Sequence, residues 1–108
     1  MSDTIAAIAT APGPSAIGIL RLSGPEALSA ASAVFRSASG RLLESYQDRV
    51  LVFGELLGPD GRPIDQVLAT VSRSLHSYTG EDTAELHCHG SPAVLALGLE
   101  ALFAQGVR

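Results

Sequence analysis

Apolar and polar positions in this chain fall into short blocks separated by Gly, Pro and Ser. Thr4 to Ala9 is apolar around Ile5 and Ile8 and predicts a first strand. Ala11-Pro-Gly-Pro-Ser15 breaks it, because two prolines and a glycine exclude both helix and ladder. Ile17 to Leu22, rich in Ile and Leu, predicts a second strand. Ser23-Gly-Pro-Glu26 reads as a helix start, with Ser23 as cap and Glu26 in the capping-box position. Apolar residues at Ala27, Leu28, Ala31, Val34 and Phe35 then make a helical stripe that Ser37 to Gly40 ends. Val50 to Leu57 and Ile64 to Ser72 read as strands, and Gly58-Pro-Asp-Gly-Arg-Pro63 makes them a hairpin. After a polar loop from Leu75 to Asp82, Thr83 to His89 is a further strand. Ser91-Pro92 opens a second helix running from Ala93 to about Ala104, with Ser as cap and Pro at the first position.

The order β-β-α-β-β-β-α implies an α+β fold, a mixed β-sheet covered by helices. The last helix carries one charge, Glu100, in an otherwise apolar run. Such a helix needs cover on more than one side, from a deep core or from a neighbour such as another subunit. The 108 residues suit one domain, and 46% hydrophobic with 17% charged residues gives a core rather than a disordered chain. A domain this size buries only about two-thirds of its unfolded surface, so help from a partner subunit is in keeping.

Net charge is −4, and the seven basic residues, all Arg, are spread from Arg21 to Arg108 without a phosphate-tracking patch. If the parent protein acts on RNA, this segment is not expected to be its main RNA-binding surface. The single Cys88 cannot form an internal disulfide, which fits a reducing compartment. The opening Met-Ser-Asp-Thr has no basic leader region, and no apolar run approaches the roughly 20 residues of a membrane span. The expectation is a soluble, cytoplasmic chain. There is no Lys and no Gly-x-x-x-x-Gly-Lys-[Ser/Thr], so no P-loop for GTP.

Three places carry candidate chemistry. In Thr83-Ala-Glu-Leu-His-Cys-His89, Ala84, Leu86 and Cys88 point one way, while Thr83, Glu85, His87 and His89 point the other. That second row is either a solvated strand face, a ligand-binding row, or, with His76, a metal site. Cys88, on the apolar side, reads as a buried, inert thiol. Arg21 is the lone charge in its strand. It is either a fork of donors for a carboxylate or phosphate, or an edge arginine whose stem covers the sheet. Ser77-Tyr-Thr-Gly-Glu-Asp82 is a loop in which Gly80 permits a tight turn and Asp82 or Thr79 can satisfy local amides. Tyr78 either stacks on a flat ligand or plugs the core edge.

Four segments together resemble one family. Asp3-Thr-Ile-Ala-Ala-Ile-Ala-Thr-Ala-Pro-Gly13 resembles the opening "DTI-A-AT-PG" of the MnmE (TrmE) tRNA-modification GTPases. Gly18-Ile-Leu-Arg-Leu-Ser-Gly24 is similar to their "G(I/V)(I/L)R(I/L)SG". Ser77-Tyr-Thr-Gly-Glu-Asp82 is similar to "S(F/Y)TGED", and Glu85-Leu-His-Cys-His-Gly90 to "E(L/I)-x-x-HGG". They run in the family's order over about residues 3 to 104. Two departures stand out: Ser91 where the family has a second Gly, and a Pro12-to-Ala16 loop where many relatives carry more glycines or an arginine.

The resemblance implies a fold related to the tetrahydrofolate-binding domains of one-carbon enzymes. It implies an N-terminal domain that forms a homodimer and binds a 5-formyltetrahydrofolate-type cofactor. Carried over by position, the folate site falls on Arg21 and Glu85, with Tyr78 and His89 beside them. It implies that the whole protein, with MnmG, modifies the wobble uridine of certain tRNAs. It further implies that a helical domain and a GTPase domain, which holds GTP, Mg and K, lie outside these residues. So does an "(A)RPGEF(S/T)-RAF-N-K-DL" segment with further folate contacts. This chain is therefore expected not to hydrolyse GTP. Two other readings remain beside it: a purely structural dimerisation module without ligand binding, using the last helix or a sheet edge, and a small His-based metal-binding protein.

Overall fold

The computed structural model describes residues 3–9, 15–74 and 80–108. Among the described residues six strands make one sheet: β1 (Ile5–Ile8), β2 (Ser15–Ser23), β3 (Phe35–Ser37), β4 (Val52–Leu57), β5 (Pro63–Ser72) and β6 (Thr83–Gly90). They lie in the order β1-β2-β6-β5-β4-β3. Every pairing is antiparallel, so the expectation of a mixed sheet is corrected. The reason is connectivity. β1 pairs with β2, β3 with β4 and β4 with β5, each with its neighbour in the chain, the β3–β4 connection being residues 38–51 with a 3-10 turn at Leu43–Ser45, and β6 pairs antiparallel with both β2 and β5.

Helices α1 (Ala27–Ala33) and α2 (Pro92–Phe103) both pack on one face of this sheet. Alternation supplies that face. Leu20 and Leu22 of β2, Leu56 of β4, Val67, Ala69 and Val71 of β5, and Ala84, Leu86 and Cys88 of β6 are all buried. They meet Ala27, Ala30 and Ala31 of α1 and Leu95, Ala101 and Leu102 of α2. Small residues let α2 come close. A methyl group on Gly98 would stand 2.6 Å from Leu20 Cδ1, and one on Gly18 would stand 2.8 Å from Leu95 Cδ1.

The start of α1 differs from its sequence reading. The N-cap residue is Glu26, and no side chain makes a cap bond. The Glu26 amide instead donates to Thr4 Oγ1 at 2.8 Å, and Ser23 Oγ donates to Glu81 Oε2 at 2.9 Å. Gly24 holds φ at +137°, and a Cβ there would stand 2.6 Å from Thr4 Cα, so this close turn needs glycine. The helix also ends earlier. Phe35 belongs to β3, whose three residues pair with β4, a strand that the apolar stripe had absorbed into the helix. Ser91 does occupy the N-cap of α2 and Pro92 its first turn, although the Ser91 side chain makes no cap bond. α2 is covered on one side only; Leu97 and Phe103 on its outer side are exposed. The Gly58–Pro63 hairpin is present, with a bulge between Leu56 and Leu57 as β4 pairs with β5. No helix among the described residues is long and apolar enough to cross a membrane.

Candidate functional site

Among the described residues the second face of the sheet carries no helix, and the chemistry-bearing side chains collect there. β2 and β6 pair in a register that puts Arg21 opposite Glu85, Ile19 opposite His87 and Ile17 opposite His89. β5 lies on the other side of β6, with Thr70 opposite Glu85 and Leu68 opposite His87. Arg21 is thus on an interior strand. The edge-arginine reading is corrected, because β1 covers that flank and pairs Ala7 with Arg21.

Glu85 is held from two sides. Arg21 Nε donates to its Oε2 at 2.8 Å and Arg21 Nη2 stands 2.7 Å from the same oxygen. His87 Nε2 lies 2.9 Å from Oε1. A carboxylate only accepts, so His87 carries a proton on Nε2. Partial burial pushes the Glu85 carboxyl up, but the hydrogen bonds from His87 and Arg21 and their charges outweigh it, holding its pKa below the ordinary glutamate value. The Arg21 side chain is 54% exposed and that of Glu85 26%, so the pair meets solvent from the open face. With about four lone-pair positions on a carboxylate, Oε1 keeps room for a further donor.

Apolar residues flank this polar centre. Ile17, Leu51, Phe53 and Leu68 are exposed at 58%, 59%, 53% and 39%. One row across the sheet reads Phe53, Leu68, His87, Ile19. A shallow recess of about 380 Å³ lies further along the same sheet, lined by Arg36, Phe53, Glu55 and Gln66, and is not part of the Arg21–Glu85 centre.

His89 stands apart from Glu85. The β5–β6 ladder runs from Ser72 opposite Thr83 to Leu68 opposite His87, and beyond it the Asp65 side chain accepts an amide of β6, with His89 N donating to Asp65 Oδ2 at 2.8 Å. His89 Nδ1 lies 2.6 Å from Asp65 Oδ1. The structure therefore joins Arg21 with Glu85 and places His89 on the same face, tied to a different carboxylate. Tyr78, with the rest of residues 75–79, lies outside the described residues, as does His76. Asp82 does satisfy a local amide, accepting Ser74 N–H at 2.8 Å.

Among the described residues no three His, Cys, Asp or Glu side chains converge as metal ligands. Cys88 is buried on the helix side, and burial, with Asp65 nearby, pushes its thiol up to about 12. It is a neutral, unreactive group at physiological pH. Two contributors were not identified as site residues from sequence. His87 was visible as part of the row but not as a partner of Glu85. Asp65 had a signal that went unused: like Arg21, it is the one charge in its strand.

Residues 4–108 match the family described as GTP-binding protein TrmE N-terminus. The chain is similar to the tRNA modification GTPase MnmE of Chloroflexus aurantiacus, 48% identical over 108 residues, which cover all of this chain and 23% of that protein. The MnmE protein of Clostridioides difficile is 44% identical over 108 residues, again 100% of this chain and 23% of the relative. That of Thermus thermophilus is 46% identical over 109 residues, 100% of this chain and 24% of the relative. The chain thus spans about a quarter of the length of these relatives.

Proposed function

We propose a function from one premise, that the chain belongs to the TrmE N-terminal family. It binds a tetrahydrofolate-type one-carbon cofactor, such as 5-formyltetrahydrofolate, on the open face of its sheet, and a second copy of the chain pairs with it there. It does so as the N-terminal part of a GTPase that, with MnmG, modifies the wobble uridine of certain tRNAs. GTP, Mg and K belong to the GTPase part of that protein.

The observation that carries this reading is the Arg21–Glu85–His87 cluster on an uncovered sheet face, with Ile19 and Leu68 on either side of His87. The donor set fits the cofactor. An amino-pyrimidine edge offers two N–H donors, and an ionised carboxylate kept anionic by Arg21 accepts such donors. Apolar side chains suit a flat ring, and Tyr78 is assigned to flank it. Arg21 keeps Glu85 ionised and offers its remaining donors to a carbonyl or carboxylate of the ligand. When bound, the folate supplies the one-carbon unit. The exposed Ile17, Leu51, Phe53 and Leu68 support self-association through this face.

A calorimetric titration of 5-formyltetrahydrofolate tests the site. Glu85→Ala and Arg21→Ala should each weaken binding roughly ten- to a hundredfold, about 1.5–3 kcal/mol for a lost charge-assisted bond. Affinity untouched by both substitutions would remove the pterin from this face. For the pairing, Phe53→Glu should lower the sedimentation-equilibrium mass towards that of one chain. An unchanged mass would put the interface elsewhere.

A further inference from the structure

The two histidines of β6 are wired in opposite senses. His87 gives its Nε2 to Glu85, whereas His89 gives its Nδ1 to Asp65. Asp65 is well fixed for this purpose: its side chain is 11% exposed, and its second oxygen accepts the His89 backbone N–H. Both bonds come from one residue, so the ring and the strand carrying it are anchored together. A carboxylate accepts and does not donate, so Nδ1 holds the proton. In its neutral form the ring would present an unprotonated Nε2, on a side chain 72% exposed. A histidine needed only for packing has no use for a largely enclosed carboxylate that selects its tautomer. That arrangement is what orients an imidazole for a task at its other nitrogen.

We propose that Asp65 is a positioning residue that holds His89 as an Nε2 acceptor, and that this nitrogen accepts a hydrogen bond from an N–H of the ligand bound by Arg21 and Glu85. The inference rests on the ligand reading above and adds the contact atom and the residue behind it. His89 lies four positions beyond Glu85 along β6, roughly 13 Å at strand spacing. The contact therefore falls on the arm of the ligand rather than on the ring edge that Glu85 receives. Neither Asp65 nor the tautomer enters the sequence resemblance, which gave His89 alone.

Imidazole nitrogen NMR of the ligand-free chain at pH 8 tests the wiring directly. His87 and His89 should show opposite tautomers, with His89 protonated on Nδ1. Asp65→Asn should reverse His89, because the amide oxygen must still accept the backbone N–H and its NH2 then faces Nδ1. Saturating 5-formyltetrahydrofolate should shift the His89 Nε2 resonance in the wild-type chain. In titrations, Asp65→Asn and His89→Leu should each weaken binding about three- to tenfold, the range of one hydrogen bond. His89→Gln places a carbonyl near the Nε2 position and should restore most of the affinity. In that background Asp65→Asn should have no further effect, since its action runs through the imidazole.

An Nε2-protonated His89 in the wild-type chain, or an Nε2 resonance that ignores saturating ligand, overturns the proposal. So does Asp65→Asn weakening binding equally with and without His89→Gln. If binding requires Glu85 but is indifferent to Asp65 and His89, only this inference falls. If the wild-type chain binds no folate, the ligand reading falls with it, while the NMR still reports whether the wiring is real. Should Asp65→Asn unfold, the wild-type spectra and the His89→Leu and His89→Gln titrations decide alone.

Discussion

The two sides of β6 differ in how they use one strand. Ala84, Leu86 and Cys88 face the helices and are buried among Leu20, Val71 and Leu102. Glu85, His87 and His89 face outward, and each is bonded to a neighbour by directional contacts. The covered side is held by packed area, where any missing methylene leaves a void. The open side is held by aimed hydrogen bonds, where shape matters little and the identity of each donor and acceptor matters a great deal. Stability and ligand chemistry can thus be changed almost independently by alternate residues of the same strand.

The largest effect should come from the covered side. Leu86→Ala is expected to cost about 2–5 kcal/mol in denaturant unfolding, the range for a buried leucine. A cost like that of a surface residue would mean that the helices do not bear on β6 as described. Gly98→Ala should follow at roughly 1–3 kcal/mol, because the added methyl meets Leu20 at 2.6 Å and the core must shift to admit it. A neutral result would show that Leu20 swings aside freely.

On the open side the effects on stability shrink. Arg21→Ala should move the unfolding free energy by roughly 0–1 kcal/mol, as for other partly exposed ion pairs, while ligand affinity collapses. Unfolding of that variant would make Arg21 a structural partner and blur the contrast between the faces. The acid limb sharpens it further. Glu85 has a lowered pKa in the folded chain, so its paired carboxylate contributes stability above the ordinary glutamate value of about 4.3. That contribution disappears as pH falls through the depressed folded value. Glu85→Gln should therefore lose melting temperature less steeply than wild type on acidification in that window, and parallel curves would count against the pairing. Finally, a probe that alters no contact at all: iodoacetamide should leave Cys88 unmodified in the native chain at pH 8 and label it promptly in denaturant. Rapid native labelling would put the thiol on the wrong face.

Alternation made most of this readable in advance. The period-two pattern from Thr83 to His89 assigned both faces of β6 correctly, because an antiparallel strand with one covered side has only one register that keeps its leucine inside. The hairpin around Gly58–Pro63 was equally plain. What escaped was set by contacts distant in sequence. Ser23 looks like a helix cap, yet Thr4, far away in the chain, accepts the Glu26 N–H that local spacing would give to Ser23, while the Ser23 hydroxyl donates to Glu81 instead. Phe35 continues a helical stripe, yet it is drawn into β3 by pairing with Leu56. Asp65 sits in a strand on the far side of the loop from His89, and no local pattern links them. Family motifs placed Arg21 and Glu85 in one site, but their direct contact was not legible, because periodicity gave each one a face without giving it a partner.

The place of β6 between β2 and β5 also bears on how the chain folds. β3, β4 and β5 can assemble as a local meander, and β1 with β2 as a local hairpin. The two halves join only when the late strand inserts between them, bringing Glu85 to Arg21 across 64 residues. Such distant pairings are slow to form, since loop-closure entropy is spent before they are rewarded. No partly folded species holding only one half can carry the proposed binding centre. A bound ligand would therefore act as a clamp on the last step of folding, and would slow whole-chain unfolding rather than merely quieten a local region.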